Sequence, residues 1–146
     1  MSIRGRLRDE DGTAVVEFVW LAILLLIPLI YLVLCLARVQ AGSYAVTQAA
    51  REAGRAFVTA TDEGHAEARS HAAADIAFAD QGFDGNGRLR ISCSASPCLS
   101  PGGSVTTRAT VSVPLPLLPE AVRGAVPLEV PVSATQVSPV PRYEAR

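Results

Sequence analysis

The chain has 146 residues and a formal net charge of −1, with 13 Lys and Arg against 14 Asp and Glu. A chain of this length holds one small domain, and charges scattered along it give no nucleic-acid footprint and no sign of an acidic substrate. Aromatic residues make up only 5 % while Ala, Val, Pro and Gly abound, so any core outside a membrane is thin and needs support from a packed helix, a disulfide or neighbouring subunits.

Residues 1–12 are short and polar, with Arg4, Arg6 and Arg8 followed by Asp9, Glu10, Asp11 and Gly12. From Phe18 to Ala37 the chain carries no charge, and about 20 helical residues at ~1.5 Å each match the hydrocarbon thickness of a bilayer. Pro28, near the middle of this run, predicts a kink rather than a break, because neighbouring groups in a membrane helix re-satisfy the freed carbonyl. Arg4, Arg6 and Arg8 on one side nearly balance Arg38, Arg51 and Arg55 on the other. The positive-inside rule is thus close to a tie, and the short N-terminal tail favours an N-terminus inside and a C-terminal part exported.

Beyond the span the helix is expected to continue. Val46, Ala49, Ala50, Ala53, Phe57 and Ala60 recur every three or four residues, with Gln48, Arg51, Glu52 and Arg55 on other faces. Thr61 to Gly64 interrupts this stripe. Asp62 is a suitable N-cap for a second, Ala-rich helix to about Ala79, Gly82 a suitable stop, and Phe83 to Gly87 reads as loop. After Gly87 the period becomes two. Leu89, Ile91 and Cys93 alternate with Arg88, Arg90 and Ser92, and Val105 to Val113 repeats the pattern with Thr107, Ala109 and Val111 inside. A Pro-rich crossing from Pro114 to Pro127, with room for a helical turn at Glu120 to Arg123, leads to a third strand at Leu128 to Val137, which Pro131 assigns to a sheet edge.

Cys35 lies inside the apolar run, where ordinary helix packing explains it. Cys93 and Cys98 bracket Ser94-Ala95-Ser96-Pro97, a spacing open to two readings: a disulfide across a turn, favoured by an oxidising compartment, or two free thiols in a loop. His65 and His71 are six apart, on different helix faces, and read as surface residues rather than a metal pair. Asp80, Asp84, Gly85 and Asn86 hint at a calcium loop, but the twelfth position from Asp84 is Ala95, so a solvated turn is the reading. No serine stands in a nucleophile elbow, and neither a phosphate-cradling nor a nicotinamide-binding glycine motif occurs. No metal, no cofactor and no catalytic activity are expected.

The informative constellation is Gly12-Thr13-Ala14-Val15-Val16-Glu17-Phe18 at the entrance to the apolar run. By itself Glu17 is an interfacial charge reaching the headgroups. An ionised carboxylate further into hydrocarbon would be unfavourable by about 3 kcal/mol, and a nearby α-amino group would offset it. The segment resembles a prepilin signal, in which a membrane peptidase cuts after Gly and Glu stands fifth in the mature chain. Here Glu17 is fifth counting from Thr13.

Together with Gln48-Ala49-Ala50-Arg51-Glu52-Ala53-Gly54-Arg55-Ala56 and a small strand-rich C-terminal part, this constellation resembles the TadE-like family of tight-adherence (Flp-type) pilus assembly proteins. The likeness covers residues 9–57. It implies a pilin-like α+β architecture: a long N-terminal transmembrane helix continuing into an amphipathic helix, a second Ala-rich helix, and a small antiparallel sheet of about three strands. The implied organisation is a leader over 1–12, a membrane helix over 13–37, an extracytoplasmic helical stalk over 38–82 and a strand-rich part over 83–146. It further implies cleavage between Gly12 and Thr13 by a prepilin peptidase, and a role for Glu17 and Phe18 in subunit register. Other pilin-like subunits, pilus assembly proteins and membrane lipid are the implied partners, with no nucleic acid and no small-molecule substrate. The rival readings are an uncleaved single-pass protein carrying an envelope-structural or binding module, and a membrane-tethered enzyme, which would need a cleft of convergent titratable groups.

Overall fold

A computed structural model of the chain describes residues 10–116 and 129–143, with side chains from Ala14 onward in the first stretch. Its element order is α1 (Glu10–Val58), α2 (Glu63–Asp80), β1 (Gly87–Cys93), β2 (Ser104–Pro114) and β3 (Glu129–Pro139). The architecture is α+β, and the chain divides into two compact units, Met1–Leu36 and Ala37–Arg146.

The first unit holds the N-terminal part of α1. The helix is unbroken through Pro28, and its large apolar side chains are exposed all round, from Val15 through Leu24 and Leu25 to Leu36. A helix apolar on every face has no soluble solution to its own burial, and a bilayer is the solvent that suits it.

In the second unit the C-terminal part of α1 buries the predicted stripe: Val46, Ala49, Ala50, Ala53 and Phe57 are all buried, and Ala45 joins them. The helix ends at Val58, and Ala60 stays buried beyond it. Asp62 then caps α2, its Oδ1 accepting from the His65 backbone N–H at 2.9 Å. That bond satisfies one of the donors every helix leaves open at its start. Gly82 follows α2 at φ +75, a left-handed conformation that favours glycine and ends the helix.

The sheet has the order β1-β2-β3, antiparallel throughout. β2 is central and buries Val105, Thr107, Ala109, Val111 and Val113. The outer faces carry Arg88, Arg90, Arg108 and several hydroxyl side chains. β3 lies at an edge, as Pro131 requires, and extends to Pro139 rather than stopping at Val137.

The core forms two clusters. One joins α1 and α2 alanines to Phe78, Phe83, Ala109, Val111 and Val113. The other gathers Phe57, Val58, Ala60, Ala66, Val105 and Val140, with Cys93, Cys98 and Leu99 against it. One residue differs from the sequence expectation, and another goes beyond it. Phe83 lies in the expected loop, and its ring is buried in the first cluster, with the Arg38 guanidinium 5.8 Å from the ring centroid. Gly87, also read as loop, opens β1, since its backbone pairs with Val111. The helical turn expected at 120–123 lies outside the described residues.

Alanine and glycine let these elements approach closely. At Gly42 a Cβ would fall on the Val113 side chain, and at Gly54 on Ser138. Backbone proximity in turn brings hydroxyls onto helix carbonyls. Thr107 Oγ1 donates to Ala50 O at 2.7 Å, and Ser70 Oγ donates to Ala53 O at 2.9 Å. Among the described residues no buried side-chain polar atom lacks a partner, so the polar groups in this small core do not carry an unmet desolvation penalty.

Candidate functional site

The sequence places its candidate functional residues at the start of the apolar helix, and the structure puts them on α1. Gly12 and Thr13 fall within the first residues of that helix, but their side chains lie outside the described set. Glu17 and Phe18 are both exposed, Phe18 at 71 %. Thr13 and Glu17 are four residues apart in one helix, hence stacked on one face a single turn apart. Among the described residues no cation lies in ion-pair contact with Glu17. From Ala14 the helix is long and apolar enough to be a candidate single membrane span, and between Ala14 and Ala37 Glu17 is the one charged residue in the sequence. Within the span, Cys35 is a free thiol, partly covered, and Pro28 leaves the helix continuous.

The second set of residues named by the sequence comes together at the end of β1. Cys93 and Cys98 form a disulfide with Cα atoms 5.2 Å apart, which decides between the two readings that their spacing left open. The bond closes a tight loop through Ser94-Ala95-Ser96-Pro97 and covers part of the second core cluster. Sequence reasoning missed the residue that ties this loop to the helices: Glu63, at the first turn of α2, accepts a hydrogen bond from the Cys98 backbone N–H. Beside it Asp62 accepts from both the backbone N–H and the ring of His65. The backbone bond, then the ring bond, hold the Asp62 carboxyl below its ordinary range. An acidic residue in the first turn also suits the positive end of the helix dipole. The combined signal, Asp-Glu just before an Ala-rich helix, marks a cap in sequence but not its long-range partner.

Asp84, Gly85 and Asn86 make a turn, with the Asn86 N–H donating to Phe83 O at 3.1 Å and Gly85 at φ +72, while Asp80 is the last residue of α2. Among the described residues no group of three or more His, Cys, Asp or Glu converges as a metal site. His65 and His71 are exposed on α2. Several depressions lie on the surface of the second unit. One, of about 300 Å³, is lined by the loop at Gly85 and by Arg88, Thr110, Ser112 and Glu129.

Comparison with protein-family models, with curated proteins and with solved structures returns no match.

Proposed function

We propose that this chain is a non-catalytic, minor pilin- or pseudopilin-like component of a tight-adherence (Flp) pilus assembly system. In this reading the N-terminus is cytoplasmic, the single span anchors the chain in the cell membrane, and the Ala37–Arg146 unit is exported. A prepilin peptidase cleaves between Gly12 and Thr13, and the new α-amino group lies one helical turn from Glu17.

The observation that carries the reading is Glu17 five residues beyond Gly12, at the start of a helix whose apolar side chains are exposed on every face. Between lipid-embedded helices there is little hydrophobic driving force, so a carboxylate paired with an amine, its own or a neighbouring subunit's, gives register that apolar packing lacks. The disulfide of the second unit supports export, since such bonds persist in oxidising compartments. A thin core of alanines and valines with an α+β arrangement is compatible with a pilin-like head supported by its neighbours.

The test is intact mass and N-terminal sequencing of the membrane protein from its native host, beside a Gly12→Ala variant. The expected result is a mature chain beginning at Thr13 in the parent and an unprocessed chain in the variant. An intact N-terminus in cells with an active prepilin peptidase would overturn the proposal and leave the uncleaved anchored module in its place.

A further inference from the structure

Three arginines that look scattered in the sequence meet on one side of the sheet. Arg88 and Arg90 occupy alternate, exposed positions of β1, and the antiparallel register sets Arg90 directly opposite Arg108 of β2 and Arg88 opposite Thr110. Directly opposed side chains on a sheet face have Cβ atoms about 5 Å apart, and like charges so placed repel. Among the described residues Arg88, Arg90 and Arg108 make no ion pair with a carboxylate, and Arg108 Nη2 reaches the Ser133 hydroxyl at 3.5 Å. The carboxylate on this side, Glu129, lines the neighbouring depression with Arg88 without pairing with it.

The same three side chains line one depression of about 610 Å³ with Leu89, Thr110 and, from α2, His71. Three arginines from two strands and His71 from α2 therefore line a single open depression whose lining contains no Asp or Glu. Glu67 and Asp75 stand one helical turn on either side of His71, yet neither lines the depression. A solvated face of a sheet is usually mixed in sign or covered by opposite-charge pairs across strands, which stabilise it. Here the alternative was available at no structural cost, because all three arginines are exposed and point away from the core.

We propose that this depression is a binding site for a phosphate group, carried either free or on a lipid headgroup. Guanidinium forks present paired N–H donors to two oxygens at once, and forks from adjacent strands engage different oxygens of one tetrahedral anion. The Thr110 hydroxyl and the His71 ring add donors at the rim. Binding the anion turns the Arg90–Arg108 repulsion into a shared attraction. The proposal does not depend on the pilus reading.

The experiment is amide NMR of the full chain in zwitterionic detergent micelles, titrated in one arm with inorganic pyrophosphate and in the other with short-chain phosphatidylglycerol. Saturable shifts centred on Arg88, Arg90, Arg108 and Thr110 are expected. Shifts with pyrophosphate identify a free phosphate ligand, and shifts with phosphatidylglycerol alone identify the lipid headgroup. The double variant Arg90→Ala/Arg108→Ala is expected to weaken binding by roughly tenfold or more, with Arg90→Lys keeping part of it and Arg55→Ala, on the remote face of α1, leaving it unchanged. Because removing like charges relieves repulsion, the Arg90→Ala melting temperature is expected to stay level or rise; a purely structural arginine would lower it. No saturable shift in either arm, or an equal loss with Arg55→Ala, overturns the proposal.

Discussion

The two parts of α1 are both apolar and both helical, yet they solve opposite problems. Up to Leu36 the side chains are large and exposed, with Leu24 at 67 % and Leu25 at 66 %, whereas beyond it the inward positions are small and sealed, with Ala45, Ala49 and Ala53 at 0 %. Large side chains maximise apolar area where lipid is the solvent. Small ones surrender area so that a helix backbone can lie close to a sheet, where Thr107 and Ser70 reach its carbonyls. The lesson is that hydrophobicity alone does not separate a membrane span from a packing helix; side-chain size and the one-sidedness of the stripe do.

The largest expected effect breaks the packing side of this contrast at its anchor. Phe78 is among the few large side chains fully buried beneath the alanines, so Phe78→Ala is expected to lower the stability of the folded second unit by about 3–5 kcal/mol, read by denaturant unfolding in micelles. Leu25→Arg addresses the other side. An arginine at mid-span is expected to disfavour membrane insertion by about 3 kcal/mol, measured as the inserted fraction in a microsomal assay, while the melting of the second unit is unaltered.

A matched pair then sharpens the comparison. Ala49→Leu adds volume where the packed core leaves none and is expected to destabilise by about 1–3 kcal/mol. Leu25→Ala removes the same three carbons from an exposed position, and thermal unfolding of the second unit is expected to be unchanged. Equal effects from the two substitutions would dissolve the distinction between the halves.

The smallest effect is at the cap of α2. The Asp62 carboxyl is held below its ordinary range by the His65 backbone N–H and ring. Because its folded value is depressed, the stabilisation is fully present above the unfolded carboxyl range, about pH 4, and is lost as pH falls through the lowered folded value. Melting temperature followed from pH 6 downward is expected to drop less in Asp62→Asn, whose amide oxygen still caps the helix but does not titrate. Parallel pH profiles for the two proteins would remove the carboxylate from this role.

Much of the architecture was legible because its periodicities are clean. The Ala stripe from Val46 to Phe57, the Asp62 cap and the alternation along β1 and β2 each follow from local rules, and all three elements appear within a residue or two of expectation. Pro131 marked an edge strand because a residue without an N–H cannot serve a central ladder. The burial of Phe83 within its expected loop was not legible, because a single aromatic between turn residues has no period and its burial depends on where the turn aims it.

By itself the sequence determined an uncharged run long enough to span a bilayer, an amphipathic continuation, and strands with one apolar face, since each depends only on residues close along the chain. Tertiary structure alone decided what distant residues meet. It joined Cys93 to Cys98 in a bonded pair, brought Glu63 to the Cys98 amide across 35 positions, and set Arg90 against Arg108. Strand register and helix docking fix those contacts, and neither is written in the spacing of the residues that make them.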